Sequence, residues 1–186
     1  VTSDILGVRN AIDDAKHPAL LLVDTISSLA SIDYQHDAWR VDVAIGGSQK
    51  GLMLPPGLSF NAVSARALTR HAESQYNRAY WEWDDMLLHN EKGFFPYTPA
   101  TNLIFGLQES LKIILDEIGL DTVFGRHARH AAATRAAVAH WGLETVCRDP
   151  AASSNTLTAV MTPSGISANQ LRQKILDKFD MSLGAG

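Results

Sequence analysis

The sequence contains a single cysteine, Cys147, in 186 residues. One cysteine excludes an internal disulfide framework and is typical of proteins from a reducing compartment. No apolar run approaches the roughly 20 residues needed to span a bilayer, and the N-terminus has no basic region followed by an apolar one. We therefore expect a cytoplasmic protein that has no membrane partner.

The chain also lacks an excess of positive charge. Its formal net charge is −4 and its pI is near 5.9, so there is no electrostatic case for nucleic-acid binding. A glycine-rich nucleotide loop is missing as well, because Gly46-Gly47 precedes Lys50 at a spacing that fits neither the mononucleotide nor the dinucleotide kind. What is present is a globular composition, 46% hydrophobic, which is enough for a core.

One lysine stands between a predicted strand and an irregular loop in residues 44–57. The apolar run that ends at Ile45 is followed by Gly46-Gly47, and Pro55-Pro56 excludes a helix after Lys50. A lysine amine held in a stiff, mostly apolar frame suits Schiff-base chemistry with a carbonyl. The alternative is an ordinary solvated loop lysine, which is the commoner situation for lysines in general.

A second stretch, residues 20–24, is a continuous apolar run that ends in Asp24. This pattern predicts a buried parallel strand that delivers a carboxylate to the carboxyl edge of a sheet, where ligands of open α/β sheets bind. An acid and a lysine at that edge are the two protein groups that a pyridoxal phosphate site needs. Taken alone, Asp24 is equally well explained as a cap of the turn that follows.

These motifs resemble, in order and spacing, the cofactor segment of the serine-glyoxylate and alanine-glyoxylate aminotransferases, class V of the fold-type I pyridoxal phosphate enzymes. The resemblance rests on residues 21–30, 41–44, 47–51 and 55–57, and it extends through 80–85 and 93–99 to 181–186. It is specific at Asp24 and at Ser48-Gln49-Lys50. The serine-glyoxylate branch is the closer match.

The resemblance implies an α/β fold. Residues 1–120 would form the second half of the large cofactor-binding domain, a mixed, mostly parallel sheet with flanking helices. Residues 121–186 would form a connecting helix and the start of a small C-terminal α/β domain. We expect a fragment of a longer chain, with the phosphate loop and a ring-stacking aromatic before it and a substrate-binding arginine after it, and we expect the segment alone to be inactive.

Local patterns predict the elements in more detail. We expect helices over about 3–16, 65–75, 101–118, 121–141 and 167–179, and strands over 19–24, 42–45, 58–63 and 156–161. Ser64 and Asp121 are predicted helix N-caps, and Gly119 is predicted to end the helix before it.

The resemblance assigns four residues of this chain to the cofactor. Lys50 would be the catalytic residue and would carry pyridoxal 5'-phosphate as an internal aldimine. Asp24 would face the pyridinium nitrogen, Ile26 would pack against one face of the ring, and Gln49 would contact the phosphate. The alternatives from the residues alone are ordinary apolar packing for Ile26 and turn stabilisation for Gln49.

Two further site residues are implied on a neighbouring subunit. Thr98 falls on a threonine position that, in the related enzymes, reaches across a homodimer interface to the phosphate. The related tyrosine position is Phe95 here, which cannot donate a hydrogen bond, so Tyr97 is the candidate substitute. We therefore expect a homodimer that shares its site across the interface.

No metal site is expected from the sequence. His127 and His130 share a face of a predicted helix, but no third ligand stands at a helical step. The reaction implied is transfer of an amino group from serine, or a similar small amino acid, to the 2-oxo acid glyoxylate. An aspartate- or alanine-glyoxylate aminotransferase is the alternative, and a non-catalytic protein that retains the fold is a more remote one. The residues of the chain do not indicate which amino acid is the donor.

Overall fold

Three short strands form a mixed sheet in the computed structural model, which describes residues 1–185. Strand β1 (Leu22–Asp24) runs parallel to β2 (Val43–Gly47), with Asp24 opposite Ile45. Strand β3 (Ser59–Val63) pairs with β2 in the antiparallel direction, and the strand order is β1-β2-β3. Because β1 and β2 are parallel, the chain leaves both strands at the same edge of the sheet.

β1 is shorter and less buried than predicted. Leu21, just before the strand, is 8% exposed, whereas Leu22 is 61% exposed. Successive side chains of a strand point to opposite faces, so this alternation means that one face is packed and the other is open within residues 1–185. The expectation of a strand buried on both faces over residues 19–24 was therefore wrong, although its parallel pairing is confirmed.

Along the chain, one helix precedes the three strands, and further helices follow them. These are α1 (Ile5–Asp14), α2 (Ala65–Glu73), α3 (Trp83–Asn90) and α4 (Thr101–Leu111). α4 continues directly as a π-helix, Lys112–Ile118, and Gly119 follows with a φ of +84°. A φ in this range favours glycine, which confirms the predicted helix end at Gly119.

Local capping signals account for several helix ends. The hydroxyl of Ser64 accepts a hydrogen bond from a backbone N–H in the first turn of α2, and Ser167 does the same for α6 (Ala168–Phe179). The Ser64 cap was expected, and the predicted start of the last helix at Ser167 fits the second cap. In contrast, α5 (Leu120–His140) begins one residue before Asp121, so Asp121 lies in its first turn, where the negative charge is still favourable.

α3 is an element that the sequence patterns did not predict. Its N-cap is Glu82, whose carboxylate accepts a hydrogen bond from the Asp84 N–H at 3.5 Å. Glutamate is not among the preferred N-cap residues, so the usual starting signal was missing. Asp84 and Asp85 in the first turn favour this end of the helix through its dipole.

A buried apolar cluster connects the loop after β2 with the later helices. Leu52, Ile114 and Val123 have relative exposures of 6%, 2% and 6%. Partly buried side chains packed against them are Leu29, Ala30, Leu54, Phe60, Leu107 and Ile118. Because burial of each of these aliphatic side chains contributes about 1.5–3 kcal/mol, the cluster holds the backbone at Leu52 firmly.

The described residues divide into two compact units. One comprises Ile5–Val123 and contains the sheet, and the other comprises Val1–Asp4 together with the chain from Phe124 onward. The predicted cofactor domain over 1–120 and C-terminal domain over 121–186 stay predictions, because compactness alone does not assign a role to either unit. Of the helices in residues 1–185, none has both the length and the apolar content that crossing a bilayer requires.

The second unit holds less sheet than predicted. Besides α6 and most of α5, it contains a short 3₁₀ helix, Pro150–Ala152. The predicted strand over 156–161 is represented, within the described residues, by an isolated antiparallel bridge between Thr145 and Val160. Its β-branched residues fit a strand, but a strand also needs a paired neighbour along its length, and the described chain supplies one at a single position.

Candidate functional site

Asp24 and Lys50 lie after adjacent strands at one edge of the sheet. Asp24 is the last residue of β1, and Lys50 follows the end of β2 by three residues. Since β1 and β2 are parallel, both residues belong to the carboxyl edge, as the sequence predicted. Both side chains are exposed. This edge can therefore present a carboxylate and a primary amine to a ligand.

One oxygen of Asp24 already has a structural partner. Oδ1 accepts a hydrogen bond from the Ile26 N–H at 2.8 Å, which caps the turn after the strand. The other oxygen, Oδ2, has no hydrogen bond within residues 1–185. The carboxylate is exposed, because the open face of β1 leaves the end of the strand uncovered. The two interpretations of Asp24 are compatible, since capping uses one oxygen and leaves the other free.

Lys50 stands at the start of a loop that returns to β3. Its carbonyl accepts the Met53 N–H at 2.9 Å, which closes a tight turn. In the described part of the chain, no ion pair engages its amine. The stiff frame that the sequence predicted is present in the backbone. The amine itself is exposed rather than enclosed by apolar groups.

Ser48 organises this loop from its base. It is fully buried, with an exposure of 0%. Its hydroxyl donates to the Pro55 carbonyl at 2.8 Å and accepts from the Leu58 N–H at 3.2 Å. Its backbone carbonyl accepts the Leu54 N–H at 3.1 Å. Ser48 is therefore a structural residue of the loop, although it lies two positions from Lys50.

Ile26 and Gln49 each place a side-chain atom close to Gly47 at the same edge. A Cβ placed on Gly47 would lie 2.8 Å from Gln49 Oε1 and 3.6 Å from Ile26 Cγ2. Real Cβ atoms essentially never come closer than 3.0 Å to another heavy atom, so a side chain at position 47 would displace the Gln49 amide. The absence of a side chain at Gly47 thus leaves room for an apolar group and an amide at the edge that carries Asp24 and Lys50.

Tyr97 and Thr98 lie in an open aromatic cleft before α4. The cleft has a volume of about 530 Å³ and is lined by residues of the segment 93–105, including Phe94 and Phe95. Tyr97 is 47% exposed, and its ring packs against that of Tyr80 with 5.1 Å between centroids. No hydrogen bond within residues 1–185 joins Tyr97 or Thr98 to the sheet-edge residues. Their predicted role on a second subunit stays a prediction.

His71, Glu82 and Asp84 form the one group in the described residues whose ligand atoms lie close enough together for a metal ion. The Arg78 Nε donates to Glu82 at 2.8 Å, and Glu82 also pairs with the His71 ring, which lies 5.2 Å from the Trp83 ring. The hydrogen bond from Arg78 holds the pKa of the Glu82 carboxyl below its ordinary value, and the contact with His71 adds to this. Since Arg78 already neutralises Glu82, we interpret the group as a structural ion-pair network.

Comparison with known proteins assigns this chain to a family. The family model described as aminotransferase class-V matches residues 1–186. The chain belongs to the class-V aminotransferase family. Over 188 residues it is 46% identical to the serine–glyoxylate aminotransferase of Hyphomicrobium methylovorum, covering all of this chain and 46% of that protein. It is 44% identical over 186 residues to the L-aspartate–glyoxylate aminotransferase of Paracoccus denitrificans, covering all of this chain and 47% of that protein.

A solved structure agrees with this family assignment. The crystal structure of pyridoxamine–pyruvate aminotransferase from Mesorhizobium loti superposes with a TM-score of 0.88 and 30% identity, covering 98% of this chain and 47% of that one. The expected fold, part of a fold-type I aminotransferase with a mixed sheet and flanking helices, is therefore confirmed. The chain spans about half the length of the curated relatives that it matches.

In this class-V aminotransferase chain, sequence reasoning missed two residues that shape the site. Ser48 was left out of the predicted site because the resemblance assigns the phosphate contact to the residue directly before the lysine, Gln49. Gly51 attracted no attention, although a glycine directly after a candidate lysine can indicate a close approach of the backbone. A full account of either residue requires the distances to groups that are remote in sequence.

Proposed function

We propose that this chain is part of a pyridoxal phosphate-dependent aminotransferase that moves an amino group from serine to glyoxylate. The observation that carries the proposal is the placement of Asp24 and Lys50 at one edge of two parallel strands, both exposed. The 46% identity to a serine–glyoxylate aminotransferase over the whole chain supports the choice of serine and glyoxylate. A cytoplasmic location is proposed with it, and fractionation of the source cells tests that part.

The residues at this edge fit pyridoxal phosphate by their chemistry. The aldehyde needs a primary amine that is not engaged in an ion pair, and Lys50 provides one in the described chain. The ring nitrogen needs a carboxylate oxygen, and Asp24 Oδ2 has no other hydrogen bond within residues 1–185. Ile26 and Gln49 each have a side-chain atom close to the bare backbone of Gly47, where they would offer the flat ring an apolar neighbour and the phosphate an amide donor.

Each side chain has a defined task in the proposed reaction. Bound pyridoxal phosphate supplies an electron sink for the bond that breaks at the donor's Cα. The Lys50 amine would hold the cofactor's aldehyde carbon in the resting enzyme. Once the donor's amine has displaced it, Lys50 Nζ would act as general base and then general acid, taking the proton from the donor's Cα and delivering it to the cofactor's C4′, on the other side of the amino nitrogen. Asp24 Oδ2 would accept a hydrogen bond from the ring nitrogen and keep that nitrogen protonated.

A second copy of the chain is proposed to complete the phosphate site. Thr98, with Tyr97 as the substitute for a hydroxyl that Phe95 lacks, would donate hydrogen bonds across a homodimer interface. Exposure of both side chains beside the aromatic cleft supports this role. Sedimentation of the full-length protein tests the dimer. Thr98→Val should weaken cofactor binding about tenfold through the loss of a phosphate hydrogen bond.

A different amino donor is the main competing proposal. The 44% identity to an L-aspartate–glyoxylate aminotransferase is close to the figure for the serine enzyme. Lys50 and Asp24 would have the same tasks with aspartate or alanine as the donor, so these residues do not separate the three activities. A non-catalytic protein that retains the fold remains the alternative from another class.

The visible spectrum of the full-length purified protein tests these proposals together. We expect a cofactor absorption band that serine bleaches and glyoxylate restores. Lys50→Ala should abolish this cycle, whereas Lys174→Ala, which changes an exposed lysine on α6, should leave it intact. A band that responds to aspartate or alanine but not to serine would transfer the proposal to that donor. The absence of cofactor binding by the wild-type protein would refute the aminotransferase.

A further inference from the structure

We propose that Gly51 is a positioning residue that holds Lys50 at a defined distance from Asp24; this inference rests on the proposed function. Two segments are involved: the Lys50 loop, residues 48–58, and the Asp24 turn, residues 25–31. Gly51 is the point at which the backbone of the loop lies against the turn. Its missing side chain sets how closely the two segments approach.

The approach at Gly51 is too close for any side chain. A Cβ built on Gly51 would lie 2.2 Å from the Leu29 carbonyl oxygen, 2.5 Å from Ser31 Oγ and 3.1 Å from the Ala30 carbonyl carbon. Two of these atoms belong to the backbone, which cannot rotate away as the end of a side chain can. Gly51 does not adopt a positive φ. The glycine is therefore required for space and not for its conformational freedom.

The Asp24 turn is anchored and cannot easily move back. The Thr25 N–H and hydroxyl both donate to the Ile45 carbonyl of β2 at 2.9 Å. The Leu29 N–H donates to the Thr25 carbonyl at 2.8 Å. Thr25 and Ser31 are each 2% exposed. A methyl group at position 51 would overlap the Leu29 carbonyl oxygen. Leu29 is itself held by its hydrogen bond to Thr25, so it cannot easily move away.

The Lys50 loop is anchored on its other side. The Leu52 side chain lies in the buried cluster with Ile114, and the Leu52 carbonyl accepts the Ser110 hydroxyl of α4 at 2.5 Å. Ser48 ties the base of the loop to Pro55. Because the loop is held at residues 48 and 52, the strain from a side chain at 51 falls on the segment between them. That segment is Gln49, Lys50 and residue 51 itself.

Displacement of this segment shifts the position of the Lys50 amine relative to the Asp24 carboxylate. Reacting groups that move by about 1 Å can lose about a hundredfold in rate, so a shift enforced by backbone overlap has a large functional effect. Binding of the phosphate and ring depends on other residues as well and is affected less. The two effects can therefore be separated with a ligand that does not use the lysine.

The test compares two cofactor forms in the full-length protein. Pyridoxal phosphate condenses with the Lys50 amine, releasing water, whereas pyridoxamine phosphate has no aldehyde and cannot. Gly51→Ala should raise the dissociation constant of pyridoxal phosphate about tenfold more than that of pyridoxamine phosphate. Gly106→Ala is the matched control. It adds a methyl 2.7 Å from Leu54 Cδ2 of the same loop, but that atom ends a flexible side chain, so the ratio should stay unchanged.

A second variant keeps the proposal testable if Gly51→Ala does not fold. Ser110→Ala removes the anchor at the Leu52 carbonyl without adding volume, and it should change the same ratio by about threefold in the same direction. Equal effects on the two cofactor forms, or none with either variant, would overturn the positioning role while leaving the aminotransferase intact. A wild-type protein that binds neither form would overturn the proposed function, and this inference with it.

Discussion

Asp42 and Asp24 lie at opposite ends of the same two strands and are used in opposite ways. Asp42, immediately before β2, is 3% exposed. It accepts the Leu21 N–H at 2.8 Å, binds Arg66 Nη1 at 3.0 Å and lies 3.5 Å from Arg9 Nη1. Asp24, at the end of β1, is exposed, and within residues 1–185 its one hydrogen bond is from the Ile26 N–H to Oδ1. Both oxygens of Asp42 thus have partners, whereas Asp24 Oδ2 has no hydrogen bond within residues 1–185.

The difference shows how burial decides the use of a carboxylate. A buried charge is costly unless it is paired and hydrogen-bonded, so Asp42 must be surrounded by donors. Those donors come from α1, α2 and the residue just before β1, and they tie these segments together. An exposed carboxylate has no such requirement, because water solvates it. Asp24 can therefore keep an oxygen for the proposed ligand, so the carboxylate that stabilises the fold and the one proposed for the site lie at opposite edges of the sheet.

The sharpest test of this contrast is a matched pair of substitutions. Asp42→Asn should lower the free energy of unfolding by about 2–3 kcal/mol, because it removes a charged acceptor from Arg9 and Arg66 and puts an amide group in its buried place, while Arg9 keeps its ion pair with Asp13. Asp24→Asn should change it by less than about 0.5 kcal/mol, since the amide oxygen can still cap the turn. Urea unfolding followed by circular dichroism measures both. Similar losses at the two positions would contradict the division between the edges.

A smaller effect is expected at Ser64, which serves both the helix and Asp42. Its hydroxyl caps α2 and lies 3.2 Å from Asp42 Oδ1. Ser64→Ala should lower the free energy of unfolding by about 1–2 kcal/mol. Ser167→Ala is the control, because it removes an exposed cap of α6 that has no buried carboxylate beside it, and it should cost about 0.5–1 kcal/mol. A larger loss at Ser167 would show that the contact with Asp42 contributes nothing.

The smallest effect is expected at the exposed ion pair between Arg40 and Asp13. The hydrogen bond from Arg40 holds the pKa of Asp13 below its ordinary value, and Arg9 lowers it further. Stabilisation from this lowered pKa is present above the ordinary carboxyl range and is lost as the pH falls through the lowered value. In Arg40→Ala, the Asp13 carboxyl resonance should titrate at a higher pH in ¹³C NMR. An unchanged titration midpoint would mean that Arg40 does not act on Asp13.

Much of the fold could be predicted because its signals are local. Ser64 as a cap and Gly119 as a helix end depend on neighbouring residues, and both are confirmed. The parallel pairing of the strands that end at Asp24 and Gly47 was also expected, and it places the acid and the lysine at one edge. α3 was missed because its cap, Glu82, is an unusual one.

The candidate site was only partly predictable, because some of its properties depend on more than neighbouring residues. The sequence indicated Asp24, Ile26, Gln49 and Lys50, but it predicted a buried strand before Asp24 where the structure has one that is exposed on one face. The solvent exposure of a strand end depends on what packs over it, which a short stretch of sequence does not contain. Tyr97 and Thr98 stay predictions, since their proposed partner is another copy of the chain.

The sequence by itself determined the local chemistry: which strands carry an acid and a lysine at their ends, where helices begin and end, and the family to which these motifs belong. Only the tertiary structure decided which distant groups meet. Asp42 finds Arg9 and Arg66, and Gly51 meets Leu29, across separations of 20 residues or more in the chain. Contacts of this kind depend on packing in three dimensions, and the spacing of residues along the chain does not encode them directly.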